Sequence, residues 1–166
     1  SIALDRSGFK TVGYAGTPVI SPGDVVKKDG TPYKVFTAFR RKWLEQVDIA
    51  SLEPLPPPRG QANVIEPVNE IGAFESTDAC FRQDLWPANE LDAIGQLRRF
   101  VDTRGKYYAT KRDHPALDST SRLSPYLSVG MLSARQCFHA ALVANGGLLH
   151  GGQTGLDAWI NELIWR

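Results

Sequence analysis

Two stretches of the chain gather side chains able to do chemistry. The first is DSTSRLSPYLSVG, residues 118–130. Thr120, Ser121 and Ser124 bring hydroxyls and Arg122 a guanidinium. Pro125 keeps a helix from consuming every backbone donor, so N–H and O–H groups remain for an anion such as a phosphate. A Ser/Thr-rich turn that bonds its own backbone has the same composition, and taken alone the string favours that reading. The second stretch is TGLDAWINELIWR, residues 154–166. At about 100° per residue, Trp159, Glu162 and Arg166 share one side of a helix with Leu163 beside them, and Trp165 lies about 60° round from Glu162. Two indoles then flank one acid, an arrangement suited to a flat ligand that hydrogen-bonds, such as a base. The same spacing also describes an i,i+4 surface pair of Glu162 with Arg166 over a core Trp159.

Metal and thiol chemistry find little support. Cys80 and Cys137 are far apart without a CxxC partner, and His114, His139 and His150 lack ligand spacing, so no metal site and no disulfide framework are expected. A reducing compartment, the cytoplasm, is the expected location. The chain carries 19 Lys+Arg against 18 Asp+Glu, a formal +1. That balance hides a gradient. Between residues 98 and 135 stand Arg98, Arg99, Arg104, Lys106, Lys111, Arg112, Arg122 and Arg135, against Asp102, Asp113 and Asp118 only. Such an excess suits a partner bearing phosphates, although on charge alone a solvated helix face is the more ordinary reading.

The elements that must position these groups follow from periodicity. A length of 166 residues suits one domain or a piece of a larger protein, and 42% apolar with 22% charged residues disfavours disorder and coiled coil and excludes a collagen-like repeat. No apolar run is long enough to span a membrane. FKTVGYAG and TPVIS read as short strands, and VVKKDGTPYKVF as a hairpin turning at Asp29-Gly30. In FTAFRRKWLEQV, Phe36, Phe39, Trp43 and Val47 form one helical stripe. Residues 48–75 hold Pro54, Pro56, Pro57, Pro58 and Pro67 with no helical period, which predicts a long connector where two structural regions meet. The remainder is helical. NELDAIGQLRRFVD repeats Leu91, Ile94, Leu97 and Val101 behind Asn89 and Asp92, and SARQCFHAALVAN opens on a Ser133/Gln136 capping box and ends at Gly146-Gly147. Thr154 and Asp157 suggest a similar start for the final helix, which by periodicity is still running at Trp165-Arg166, so a truncation is expected. The expected fold is mainly α in the C-terminal half, preceded by short strands, one helix and the proline-rich connector.

Three collinear strings, TPYKVFTAFRRKWL, then Tyr108 with KRDHPALDSTSRLSPYLSVGMLSARQC, then WINELIWR, resemble the DNA photolyase and cryptochrome flavoproteins, most closely the class I cyclobutane pyrimidine dimer photolyases. Ala38 stands where that family usually has proline and Ser119 where it usually has glycine. The resemblance implies an internal fragment of a larger protein. Residues 1–47 would close an N-terminal α/β antenna domain, 48–75 would link domains, and 76–166 would begin a helical FAD-binding domain. It further implies that Tyr108, Thr120, Ser121, Arg122, Leu123 and Ser124 bind FAD, chiefly around its phosphates. Trp159, Glu162 and Arg166 would line the flavin pocket, Glu162 and Trp165 would meet the lesion with Glu162 as the catalytic group, and Arg112 would contact DNA. The implied reaction is light-driven electron transfer from reduced FAD to a pyrimidine dimer flipped out of damaged DNA, aided by an antenna chromophore such as a folate or deazaflavin. A cryptochrome photoreceptor on the same scaffold and a flavin-free DNA-binding module are the alternatives. Half a flavin pocket buries too little cofactor, so the 166 residues alone are expected neither to hold FAD tightly nor to repair DNA.

Overall fold

A computed structural model describes residues 18–56 except Pro22, residues 84–166, and Gly8, Gly60 and Arg82. The FKTVGYAG strand and most of the proline-rich connector lie outside the described residues. Among those described there are six α-helices: α1 Phe36–Gln46, α2 Glu90–Arg99, α3 Tyr108–Lys111, α4 Ser124–Ser128, α5 Ala134–Ala144 and α6 Thr154–Trp165. Two 3-10 turns, Ile49–Leu52 and Gly105–Tyr107, and one π turn, Phe100–Arg104, complete the set. The mainly helical reading holds for these residues.

The expected strands do not form within them. Of the hairpin only an isolated antiparallel bridge between Val26 and Pro32 remains. Gly30 turns the chain at φ +77°, and the Asp29 carboxylate accepts from both the Thr31 N–H, at 2.9 Å, and its hydroxyl, at 2.6 Å. Pro32 has no N–H to carry a ladder onward, and a two-stranded ribbon without a third partner is marginal in water. Val19 and Ile20, expected in a strand, instead pack as bends against the helical core.

Helix α1 forms as its stripe predicts. Trp43 is buried and stacks on Phe138 of α5 with ring centroids 5.1 Å apart, while Phe36, Phe39 and Val47 pack at the core's edge. Asp48 then caps the short turn that buries Leu52, accepting from the Ala50 N–H at 3.1 Å. Asn89 caps α2 through the Asp92 N–H at 2.8 Å, and Ala93, Leu97 and Phe100 are buried. The expected stripe fails at its first member, because Leu91 is 81% exposed in a first turn that overhangs the core. Helix α5 carries the full capping box: Ser133 Oγ accepts from the Gln136 N–H at 3.2 Å, and Gln136 Oε1 accepts from the Ser133 N–H at 2.8 Å. It ends with the Gly147 N–H donating to the Leu142 carbonyl at 2.8 Å. Helix α6 starts differently from expectation. Its N-cap is Gln153, and no side chain caps it. Asp157 instead accepts from the Gly151 N–H at 2.7 Å and from Asn145 Nδ2 at 2.8 Å. Buried Asn145 also accepts from the Gln153 N–H and donates to the Leu148 carbonyl, so one amide ties the α5–α6 turn together.

One backbone contact decides how the chemistry is placed. After α2 the π turn closes with the Gly105 N–H donating to the Phe100 carbonyl, which inserts one residue into the helical register and presents Gly105 to α6. A Cβ on Gly105 would meet Leu156 Cδ2 at 2.6 Å, and one on Gly155 would run into the Gly105 and Lys106 carbonyls. The obstacle at Gly105 is a side-chain tip that can turn aside, whereas at Gly155 it is backbone, so only glycine at 155 lets α6 approach the turn this closely. The contact sets α3 beside α6.

Candidate functional site

Because of that approach, α3 offers its Tyr108/Arg112 face to the middle of α6. The two residues are four apart on one helix side, with the guanidinium 5.7 Å from the Tyr108 ring centroid. Arg112 Nη1 reaches Glu162 Oε1 at 2.5 Å, and its Nε stands 3.9 Å from Asp113. The hydrogen bond to Glu162 raises the guanidinium's pKa above its ordinary value. Half-burial, and then the neighbouring Glu162 charge, push the Tyr108 phenol up, with Arg112 opposing. Behind the pair lies an aromatic floor. Trp159 is buried with its centroid 4.8 Å from Phe100, and Phe100 meets the edge of Tyr108 at 5.8 Å.

The hydroxyl loop joins α6 at its last residue. Arg166 Nη1 donates to Ser124 Oγ at 3.1 Å and Nη2 to Ser128 Oγ at 3.0 Å, both serines belonging to α4. Leu123 is buried and anchors the loop, while Gln96 of α2 donates to the Ser121 and Arg122 carbonyls at 2.9 and 3.1 Å. Arg122 adopts φ +54°, and Asp118 binds its Nε at 3.1 Å and Arg104 Nη1 at 2.5 Å. Ser119, at the position where the resembling family usually has glycine, donates to the Lys111 carbonyl at 2.8 Å and so ties the loop to α3. The loop's hydroxyls divide between those tied to nearby backbone and one without a hydrogen bond among the described residues. Ser119 bonds backbone and Ser121 Oγ faces the Leu123 N–H at 3.5 Å, whereas Thr120 is exposed and makes no hydrogen bond among the described residues.

The structure thus brings together Tyr108, Arg112 and Glu162, with Arg166 one helical turn further along α6 and Ser124 of α4 bonded to it. Glu162 and Arg166 do not pair with each other; each takes a partner from another element. The two indoles separate. Trp159 lies beneath the acid in the core, and Trp165 is 61% exposed with its ring edge-on to Phe36 at 4.9 Å. An apolar cavity of about 560 Å³ opens between Val19, α1 and α6, with Trp43, Phe138 and Leu163 in its wall. It reaches this constellation only at Trp165, Ser128 and Arg166, and Glu162 is not in its wall. Sequence reasoning missed Phe100, Gln96 and Ser128. Of these only Ser128 had a signal, four residues beyond Ser124 on a short helix.

Among the described residues no group of three His, Cys, Asp or Glu could hold a metal ion. Burial pushes the Cys137 thiol up to about 12, which leaves it without thiolate reactivity near neutrality. No described helix is long and apolar enough to cross a membrane.

Residues 2–59 match the family described as DNA photolyase. The deoxyribodipyrimidine photo-lyase of Salmonella typhimurium is 37% identical over 156 residues, which is 93% of this chain and 32% of that protein. The photo-lyase of the same name from Escherichia coli is 36% identical over 93% of this chain and 32% of its own length, and that of Vibrio cholerae 35% identical over 98% and 35%. The chain spans about a third of the length of the curated relatives it matches.

Proposed function

This chain belongs to the DNA photolyase family, and we propose that it supplies one wall of a light-dependent lyase site that splits cyclobutane pyrimidine dimers in DNA. In this reading residues 1–47 close an antenna domain, 48–75 connect, and 76–166 begin the flavin-binding helices. The convergence of the hydroxyl loop and the last helix, made by Arg166 on Ser124 and Ser128, carries the proposal. Had these stretches lain on opposite sides of the molecule, no single cofactor could touch both.

The donor set fits an anionic dinucleotide. Thr120 offers a hydroxyl with no protein partner among the described residues, and Ser121, Ser124 and Arg166 add further donors. Tyr108, Thr120, Ser121, Arg122, Leu123 and Ser124 would hold the phosphate side of FAD, and Trp159, Glu162 and Arg166 the side toward its ring. FAD, when bound and reduced, supplies the photoexcited electron. The chain's own residues bind and orient. Glu162 accepts hydrogen bonds from a pyrimidine edge, and Arg112 beside it keeps a positive charge close to where negative charge arrives on the lesion. Trp165, exposed at the end of α6, offers an apolar face to a base that has left its stack. An exposed ion pair such as Arg112–Glu162 is worth about 0–1 kcal/mol, so a lesion can take over the carboxylate at little cost.

The test is photorepair of a dimer-containing oligonucleotide by the full-length polypeptide, loaded with reduced flavin, under near-UV or blue light. Dimers should disappear, and Glu162→Ala should slow the reaction by roughly 10²-fold, the scale of losing one charge-stabilising group. The 166 residues alone should leave the dimers intact. A flavin-loaded, light-absorbing full-length protein that leaves dimers untouched would refute the proposal.

A further inference from the structure

Beside the site stands a second basic feature that neither flavin binding nor lesion binding uses. Tyr107 ends the 3-10 turn, 46% exposed, facing outward where its neighbour Tyr108 faces in toward Phe100. Two ammonium groups attend its ring. Lys106 Nζ lies 4.9 Å and Lys111 Nζ 4.5 Å from the centroid. Neither lysine is in an ion pair with a carboxylate among the described residues, whereas the nearby Arg112 is engaged by Glu162 and Asp113. Each cation is drawn to the ring's negative face, but two like charges gathered at one exposed ring repel each other, and an anion placed between them relieves that repulsion.

Both lysines are also held from behind. The Lys106 carbonyl abuts Gly155 of α6, and the Lys111 carbonyl accepts from Ser119 Oγ at 2.8 Å. Thr110 Oγ1 donates to the Tyr107 carbonyl at 3.1 Å and steadies the turn between them. Cations mounted on fixed backbone forfeit less freedom when they bind than cations on a loose loop.

We propose that Lys106, Tyr107 and Lys111 form a clamp for the DNA phosphate backbone, gripping the strand beside the Arg112–Glu162 pair independently of sequence and of damage. This rests on the reading that the chain acts on DNA. Phosphate contacts fix register and orientation without reading bases, so the clamp contributes equally to damaged and undamaged duplex and leaves discrimination to the Glu162 side.

The test is anisotropy of a labelled short duplex, with and without a dimer, titrated with the protein over a range of salt. Replacing both lysines, Lys106→Gln with Lys111→Gln, should weaken binding to the two duplexes by the same factor and lower the salt slope of the binding constant by about 1–2, near 0.9 for each phosphate that is no longer neutralised. Lys106→Arg with Lys111→Arg should keep the slope. Both lysines are exposed, so circular dichroism should show an unchanged melt. If the wild-type protein binds duplex and the glutamine variant keeps its slope, the clamp is wrong while the DNA reading survives. If the wild-type protein binds no duplex at all, the DNA reading falls and the clamp falls with it. Tighter binding to vesicles containing phosphatidylserine than to duplex would also overturn the clamp, by making the patch a lipid contact.

Discussion

Gly155→Ala probes the contact on which the geometry of the site depends. A Cβ there would sit 2.5 Å from the Lys106 carbonyl carbon and press on the carbonyl oxygens of Gly105 and Lys106, all backbone atoms that no rotamer change can move aside. Reaching an ordinary separation of about 3.5 Å requires α6 to back away from the turn by roughly 1 Å. Overpacking of this kind costs about 1–3 kcal/mol. For a chain of this size each kcal/mol lowers Tm by about 2–4 °C, so the variant should melt roughly 2–12 °C below the wild type. Gly95→Ala is the matched control, because its added Cβ meets only Arg99 Nη1 at 3.6 Å in the middle of α2. Relief of glycine's backbone entropy there should raise stability by about 0.5–1 kcal/mol. Differential scanning calorimetry of the two variants reads both effects. A Gly155→Ala protein melting within about 1 °C of wild type would refute the close approach of α6 to the 3-10 turn, and with it the physical cause of the Arg112–Glu162 meeting.

The Tyr108 phenol reports on the same cluster by ultraviolet pH titration. Arg112→Ala should raise its pKa further, since a cation that favours the tyrosinate is gone, and Glu162→Gln should lower it; the opposite order would contradict the cluster. A phenol whose folded pKa exceeds its unfolded value of about 10 gives stability that is complete below pH 10 and lost as pH rises through the folded value, so denaturant midpoints should fall with rising pH in that window. Ser133→Ala removes the capping box of α5 and should cost about 1 kcal/mol in urea unfolding, with an unchanged m-value.

How much of the fold and site is legible in the sequence depends on range. The Ser133/Gln136 box, the Asn89 cap and the Phe36–Val47 stripe are written within a few residues, and each forms where periodicity puts it. The hairpin fails for a local reason: Pro32 sits where a ladder needs a donor. Leu91 misleads because periodicity gives a face and not where the core ends. The π turn is invisible, since one inserted residue barely disturbs an apolar pattern, yet it is what turns Gly105 toward α6. Asp157 has the spacing of a cap, but two glycine N–H groups and an amide 12 residues upstream offer it a better set of donors. The Arg112–Glu162 pair joins residues 50 apart, and the Arg166–Ser124 contact residues 42 apart. Composition can nominate those side chains as chemically able. Their meeting depends on a glycine-to-glycine approach that carries no chemical signature of its own.

That a hydroxyl loop and the final helix serve one dinucleotide is tested most directly by hydrogen–deuterium exchange on the full-length polypeptide with and without FAD. Adding FAD should slow exchange together in residues 120–124 and 159–166, to similar extents and at the same FAD concentration. Protection confined to one of the two segments, with the other unchanged at saturating FAD, would contradict that shared role.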